Sequence, residues 1–180
     1  MIYAWDWANE YRDENDLKGF KGGLWTLFLK KLRIWDRLAA ERVDVAIANS
    51  RNVADRISKY YRMKADVLYP PVDVERFKIN KKNEDYFLIV STLSPYKKID
   101  VAVNVFNKIK RKLVVIGDGP QRPYLESIAG KYIEILGFKS DEVVKEYLEN
   151  CKALIFPGEE DFGIVPVEAM ACGKPVLAYS

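Results

Sequence analysis

Ala153-Leu154-Ile155-Phe156-Pro157-Gly158-Glu159-Glu160-Asp161-Phe162-Gly163-Ile164-Val165-Pro166-Val167-Glu168 is an apolar run that empties into a loop and then into a helix. Its first four residues read as a buried parallel strand. Pro157 and Gly158 break the chain, and Gly163 lets the backbone approach a ligand closely. Pro166 suits a first helical turn, so the pattern predicts a helix from Val165 to Cys172 whose amino-terminal N–H groups face an anion or sugar oxygens. Two carboxylates eight positions apart flank that start, Glu160 at the strand's mouth and Glu168 inside the helix. By spacing alone they read as a solvated loop acid and a surface helix acid.

The same strand, loop and helix succession recurs upstream. Tyr86 to Val90 is a strand, Ser91 to Lys98 a polar loop and Ile99 to Arg111 a helix. Lys112 to Ile116 runs into Gly117-Asp118-Gly119-Pro120, with a helix from Gln121 to Gly130. Tyr132 to Leu136 ends at Gly137-Phe138, a helix follows from Asp141 to Asn150, and a last strand starts at Pro175 to Ala178. This alternation predicts an α/β, Rossmann-like doubly wound parallel sheet with ligands at the carboxyl ends of its strands. Ahead of it, a strand at Val43 to Ala48, a helix from Arg51 to Tyr60 capped by Ser50, and a strand at Val67 to Tyr69 form another α/β unit. Pro70 to about Asn83 reads as an interdomain crossing, and residues 1 to about 42 mostly as helix interrupted near Gly19, Gly22 and Gly23.

With 49% hydrophobic residues and a net charge of +3, the chain has the composition of a soluble, mildly basic protein, and nucleic acid is not an expected partner. Two cysteines and no histidine leave no zinc site of the usual kind, no Ser-His-Asp triad and no Cys-His pair. Cys172 reads as a small packing residue. No run of apolar residues is long enough to span a bilayer and the acidic, tryptophan-rich start is not a signal peptide, so a cytoplasmic protein is expected. Between residues 18 and 42, Lys18, Lys21, Lys30, Lys31, Arg33, Arg37 and Arg42 interleave with Trp25, Phe28, Leu32 and Trp35. That pattern permits peripheral contact with the inner face of a membrane. The expectation is instead one apolar stripe packed on a core, with the cations on its wet face.

Glu160, Phe162-Gly163, Pro166, Glu168-Ala169-Met170-Ala171, Gly173 and Pro175-Val176 resemble the E-x7-E signature of retaining glycosyltransferases of family GT4, which have the two-domain GT-B fold. The resemblance implies that Glu160 contacts hydroxyls of the donor sugar, that Glu168 contacts the nucleotide ribose, and that backbone amides at Phe162, Gly163 and Ile164 bind sugar or phosphate. Lys97 aligns with the lysine of an Arg-x4-Lys loop that binds the donor pyrophosphate, with Thr92 at the arginine position. Gly117 and Gly119 resemble the G-x-G-P turn lining the donor cleft. Gly137-Phe138-Lys139 resembles the segment that meets the nucleobase, although Phe138 suits a core equally well. Asn49-Ser50 and the stretch from Pro70 to Phe77 resemble the close of a GT-B first domain. The resemblance therefore implies that residues 1–74 are the end of the acceptor domain with the interdomain link and that residues 75–180 are a truncated donor domain. The whole would be a piece of a larger enzyme, inactive alone.

The function implied is transfer of a hexose from a nucleotide-sugar donor to a glycan or lipid-linked acceptor with retention of configuration, without metal or other cofactor. Lys97 would balance charge on the departing diphosphate and Glu160 would position the sugar, making these two the catalytic candidates. Tyr3-Ala4-Trp5-Asp6 and Tyr69-Pro70-Pro71-Val72-Asp73 look most like mannosyltransferases of polysaccharide and lipopolysaccharide assembly, which favours GDP-mannose. The alternatives are a UDP-sugar-dependent transferase, a non-catalytic nucleotide-binding module, and an interaction fragment docking through its basic, aromatic helix.

Overall fold

Near-continuous apolar stretches of four or five residues are what a sheet buried on both faces requires. The computed structural model, which describes residues 2–6, 8–9, 12, 17–80 and 83–179, places them so. Met1, Lys81, Lys82 and Ser180, used above at the start, the crossing and the end, lie outside the described residues, as does the side chain of Tyr3. The chain forms two compact units, residues 1–69 and 70–180.

In the first unit, helix α1 (Ile2–Trp5) is followed by the long helix α2 (Gly19–Ala40), strand β1 (Ala46–Ala48), helix α3 (Arg51–Tyr61) and strand β2 (Ala65–Val67). β1 and β2 pair in parallel, Ile47 opposite Asp66, and Leu68 N–H extends the ladder to the Ala48 carbonyl at 2.9 Å. Ser50 caps α3 as expected, its hydroxyl accepting from Val53 N–H at 3.1 Å. Two expectations are corrected. Gly22 and Gly23 lie inside α2 and do not interrupt it, because a glycine costs a helix interior only about 1 kcal/mol. A Cβ on Gly22 would stand 2.6 Å from the Leu17 carbonyl oxygen, so its bareness admits the preceding chain. The packed row of α2 is also not the expected one. Trp25, Leu29, Leu32 and Asp36 face Ala4, Trp5 and Ala8, whereas Phe28 and Trp35 are 54% and 61% exposed. Buried Asp36 sets that register, accepting from the Trp5 indole at 2.7 Å and the Tyr61 hydroxyl at 2.6 Å.

The second unit holds strands β3 (Tyr86–Val90), β4 (Lys112–Ile116), β5 (Ile133–Gly137), β6 (Ala153–Phe156) and β7 (Val176–Ala178), all parallel, in the order β5-β4-β3-β6-β7. The connecting helices are α4 (Ile99–Ile109), α5 (Arg122–Ile128), α6 (Asp141–Asn150) and α7 (Ile164–Ala171). This is the doubly wound sheet expected, with element ends shifted by one or two residues. Alternate strand residues feed two cores. Leu88, Val114, Ile116 and Leu154 pack with Leu148 of α6 and Ala169 of α7, while Ile89, Leu113 and Val115 pack with Ile99, Val103 and Phe106 of α4 and Leu125 of α5. Cys151 and Cys172 are both buried in the first of these cores, and burial pushes each thiol up to about 11.

The segment entering this unit is tied down by a buried cation. Lys174, 3% exposed, donates to the Asn80 carbonyl at 3.1 Å and to the Asn83 side-chain oxygen. Asn80 donates to Asn150 at 2.8 Å and Lys78 N–H to Glu149 at 2.9 Å.

The loops at the carboxyl ends of β3, β4 and β5 are laced by main-chain bonds: Leu93 N–H to the Asp118 carbonyl at 3.0 Å, Gln121 N–H to Leu93 at 2.9 Å, and Gly117 N–H to Gly137 at 2.9 Å. At Gly117, φ is +141° and a Cβ would stand 1.8 Å from the Ser91 carbonyl oxygen, so the lacing requires glycine. Gly117→Ala is expected to cost about 2 kcal/mol, read as a lower urea midpoint with an unchanged m-value.

Candidate functional site

In a doubly wound sheet the crevice for ligands opens where neighbouring connections leave in opposite directions. Here that point lies between β3, whose chain proceeds outward to β4 and β5, and β6, whose chain proceeds to β7. β3 and β6 are paired directly, Phe87 opposite Ala153 and Leu88 opposite Leu154. The loops that follow them carry Lys97 and Glu160.

Ser94 and Pro95 start a short 3-10 turn, Pro95–Lys97, closed by Lys97 N–H to the Ser94 carbonyl at 3.0 Å. Lys98 then turns left-handed, φ +52°, to enter α4. This folds the Lys97 side chain inward until the residue is 6% exposed, with its ammonium 4.8 Å from the centre of the Tyr96 ring. The loop after β6 settles on the same turn. A Cβ on Gly158 would be 2.8 Å from both Lys97 Cα and its carbonyl oxygen, so the two backbones lie in contact only because Gly158 lacks a side chain. Two residues later the Glu160 carboxylate forms an ion pair with the Lys97 ammonium, its own side chain 35% exposed. Burial pushes the Lys97 ammonium below its ordinary value and the charge of Asp161 pulls it back in part. Lys97 is thus withdrawn from solvent and paired, unlike an ordinary surface lysine.

Phe162 and Gly163 are partly buried and lead into α7. Gly163 turns left-handed at φ +81°, with Pro166 and the Phe156 ring close to where its Cβ would be, and Ile164 is exposed at the first helical position. Glu168 is partly buried one turn deeper, and burial raises its carboxyl above the ordinary value. Arg76, in the 3-10 turn Val74–Arg76 that packs on α7, opposes the rise, and Asp141 reinforces it.

Thr92 is exposed on the loop after β3, beside the Gly117 and Gly119 turn. A Cβ on Gly119 would be 2.5 Å from the Leu93 carbonyl oxygen. Phe138 is 80% exposed, which settles its alternatives against the core. The structure thus brings Lys97 and Glu160 into contact, joins Thr92, Gly117 and Gly119 in adjoining loops, and sets Glu168 apart beside Arg76. Three groups were not singled out from sequence: Arg76, Tyr96, and Arg122. Arg122 binds Asp118 at 3.2 Å and Glu126 at 2.8 Å, and its guanidinium lies against Gly137. The i, i+4 spacing of Asp118, Arg122 and Glu126 was the available signal. Among the described residues no cluster of three or more His, Cys, Asp or Glu side chains could hold a metal ion, and no helix is long and apolar enough to cross a membrane. A cavity of about 230 Å³ lined by Glu84, Tyr86, Lys112, Glu146, Tyr147 and Asn150 opens at the amino ends of β3 and β4, away from these groups.

The sequence of residues 71–180 matches the family model described as glycosyl transferases group 1. Among curated proteins, the chain is 31% identical over 153 residues to an uncharacterised glycosyltransferase of Methanocaldococcus jannaschii, covering 82% of this chain and 43% of that one. It is 28% identical over 167 residues to the O-antigen chain mannosyltransferase RfbU of Salmonella typhimurium, covering 83% and 46%. The chain spans less than half the length of these relatives. Among solved structures, Anabaena HepE in complex with UDP and glucose shares the fold with a TM-score of 0.70 at 22% identity, over 83% of this chain and 48% of that one. With its match running from the segment that enters the second unit to the end of β7, this chain belongs to the group 1 glycosyltransferases.

Proposed function

We propose that the chain serves a glycosyltransferase that moves a hexose, mannose in preference, from a nucleotide-sugar donor to a glycan or lipid-linked acceptor with retention at the anomeric carbon. Residues 75–180 are the donor-binding domain in this reading, and residues 1–74 the end of the acceptor domain with its link. The observation that carries it is the buried Lys97 ammonium held against Glu160 where the connections after β3 and β6 leave in opposite directions. A cation excluded from water is costly unless it meets an anion, and a donor's diphosphate is an anion of the right kind for that crevice.

Each group then has a task. Lys97 balances charge on the departing diphosphate, joined by N–H groups at Phe162, Gly163 and Ile164 where α7 begins. Glu160 positions the sugar through its hydroxyls, and Glu168 takes the ribose hydroxyls. Gly117 and Gly119 admit the donor's approach, and Phe138 offers an exposed ring to the base. Thr92 gives a hydroxyl where an arginine fork is usual, so Lys97 is the principal cation of the grip. No metal and no other cofactor is assigned. GDP-mannose is the favoured donor, supported by the likeness to the Salmonella mannosyltransferase, and a UDP-sugar is the second reading, supported by the UDP bound in the Anabaena structure. The exposed row Phe20, Leu24, Leu27, Trp35 and Leu38 of α2, with Lys21 and Lys31 nearby, suits a peripheral hold on an anionic bilayer where a lipid-linked acceptor would lie.

Glu168 pits this function against stability. Its raised folded value means that the native state resists ionising it. Below the ordinary carboxylate range folded and unfolded chains both keep the proton and no penalty exists; the penalty grows as pH climbs through that range and stands in full at neutrality. Glu168→Gln is therefore expected to raise the melting temperature at pH 7 by roughly 1–2 °C, solvent screening keeping the gain small, and to lose the gain by about pH 4. Thermal melts at the two pH values check the sign. For the donor, calorimetric titration with GDP, GDP-mannose, UDP and UDP-glucose is expected to show binding of the guanine pair, at least about tenfold weaker in Lys97→Met and Glu168→Ala. Binding of the uracil pair instead would establish the second reading, and binding of none would overturn the donor-domain assignment.

A further inference from the structure

Lys97 and Glu160 are not independent fixtures of the crevice; each occupies the other. The ammonium lies over the Tyr96 ring, Gly158 closes in the Lys97 backbone, and Glu160 is the ion-pair partner of the ammonium, with the charge of Asp161 also acting on it. The residue that would grip a diphosphate and the residue that would hold a sugar are thus engaged with one another in this structure. The two sides of the pair differ in freedom. Lys97 is nearly inaccessible and sits in a turn closed by its own N–H, whereas more than a third of the Glu160 side chain meets solvent, on a loop between Gly158 and Gly163.

Resting on the functional reading above, we propose that the Lys97–Glu160 ion pair is a latch that the nucleotide sugar must open and that closes again to help expel the nucleoside diphosphate. A donor sugar compensates both halves of the broken pair: its diphosphate takes the ammonium and its hydroxyls take the carboxylate. A bare nucleoside diphosphate compensates only Lys97 and must compete with Glu160 for it. The latch therefore discriminates substrate from product by charge exchange, and removal of the sugar restores the competitor at the moment the diphosphate should leave. A permanently closed pair that merely shapes the loop would behave oppositely, since breaking it would disorder the grip on both ligands.

The test is calorimetric titration of the 180-residue chain and its Glu160→Gln and Glu160→Ala variants with GDP and UDP, and with GDP-mannose and UDP-glucose. Far-UV circular dichroism of each variant confirms that it is folded, and the alanine variant separates loss of charge from the packing of a new amide. The latch predicts that both variants bind the nucleoside diphosphate about threefold tighter or more than the wild type, while binding of the sugar nucleotide does not improve, so that the preference for the donor over its product falls about tenfold. Lys97→Met must lose affinity for both ligands. Unchanged or weaker diphosphate binding in both Glu160 variants, with the wild type binding normally, would overturn the latch alone. No binding of any nucleotide by any of these chains would overturn the latch and the functional reading together.

Discussion

Leu88 and Ile89 are adjacent in β3 and essentially without exposure, one in each of the two cores of the second unit. A strand in that position has no wet face, so helices must cover both sides, and each parallel connection must cross over the sheet in the right-handed sense. α4 and α5 cover one face on the way to β4 and β5; α6 brings the chain back over the other, and β6 joins the free side of β3. The chains leaving β3 and β6 consequently run to opposite edges of the sheet, while the loops directly after these two paired strands stay in contact at Lys97 and Gly158, which is why Lys97 and Glu160, distant in the chain, become neighbours.

The crevice is kept in shape by the absence of side chains as much as by their presence. Gly117 against Ser91, Gly119 against Leu93 and Gly158 against Lys97 are all backbone approaches that a methyl group would forbid. Against this floor the molecule accepts two unfavourable charges. Lys97 is held down by burial and Glu168 is held up by it. Neither is what a sequence selected for stability alone would place there, and such exceptions to local consistency concentrate at sites of function.

The sequence made legible whatever depends on local pattern. Short apolar runs located the seven strands of the described residues, with β1 and β2 each displaced by a few residues, and Ser50 marked the start of α3. What it hid depends on tertiary partners. Gly22 and Gly23 looked like breaks because the intruding Leu17 carbonyl cannot be seen in a linear string. Phe28 and Trp35 looked like part of the packed stripe because apolarity outweighed Asp36, yet the bonds from Trp5 and Tyr61 make the aspartate the inward residue. The resemblance to a family attached roles to Lys97 and Glu160 separately. That they pair, with Tyr96 beneath one and Gly158 between their loops, follows from the sheet order and from nothing in their own vicinity. Lys174 escaped notice for the same reason: its partners Asn80 and Asn83 lie far back in the chain.

Thr92 and Lys97 together bear on how such a site can switch partners. An arginine presents a planar fork that is best satisfied by one bidentate geometry, and moving it from a carboxylate to a phosphate means breaking two aligned bonds and remaking them elsewhere. A lysine is a point charge with three rotatable donors, and it passes between anions with little reorientation. In the proposed site, with Thr92 at the position where the Arg-x4-Lys pattern has arginine, the buried cation is Lys97, the group whose present anion is Glu160. On the proposed function, the cost is a weaker static grip on a diphosphate. On the same proposal, the gain is that one small displacement of Glu160, the more exposed member of the pair, would free the Lys97 ammonium for another anion.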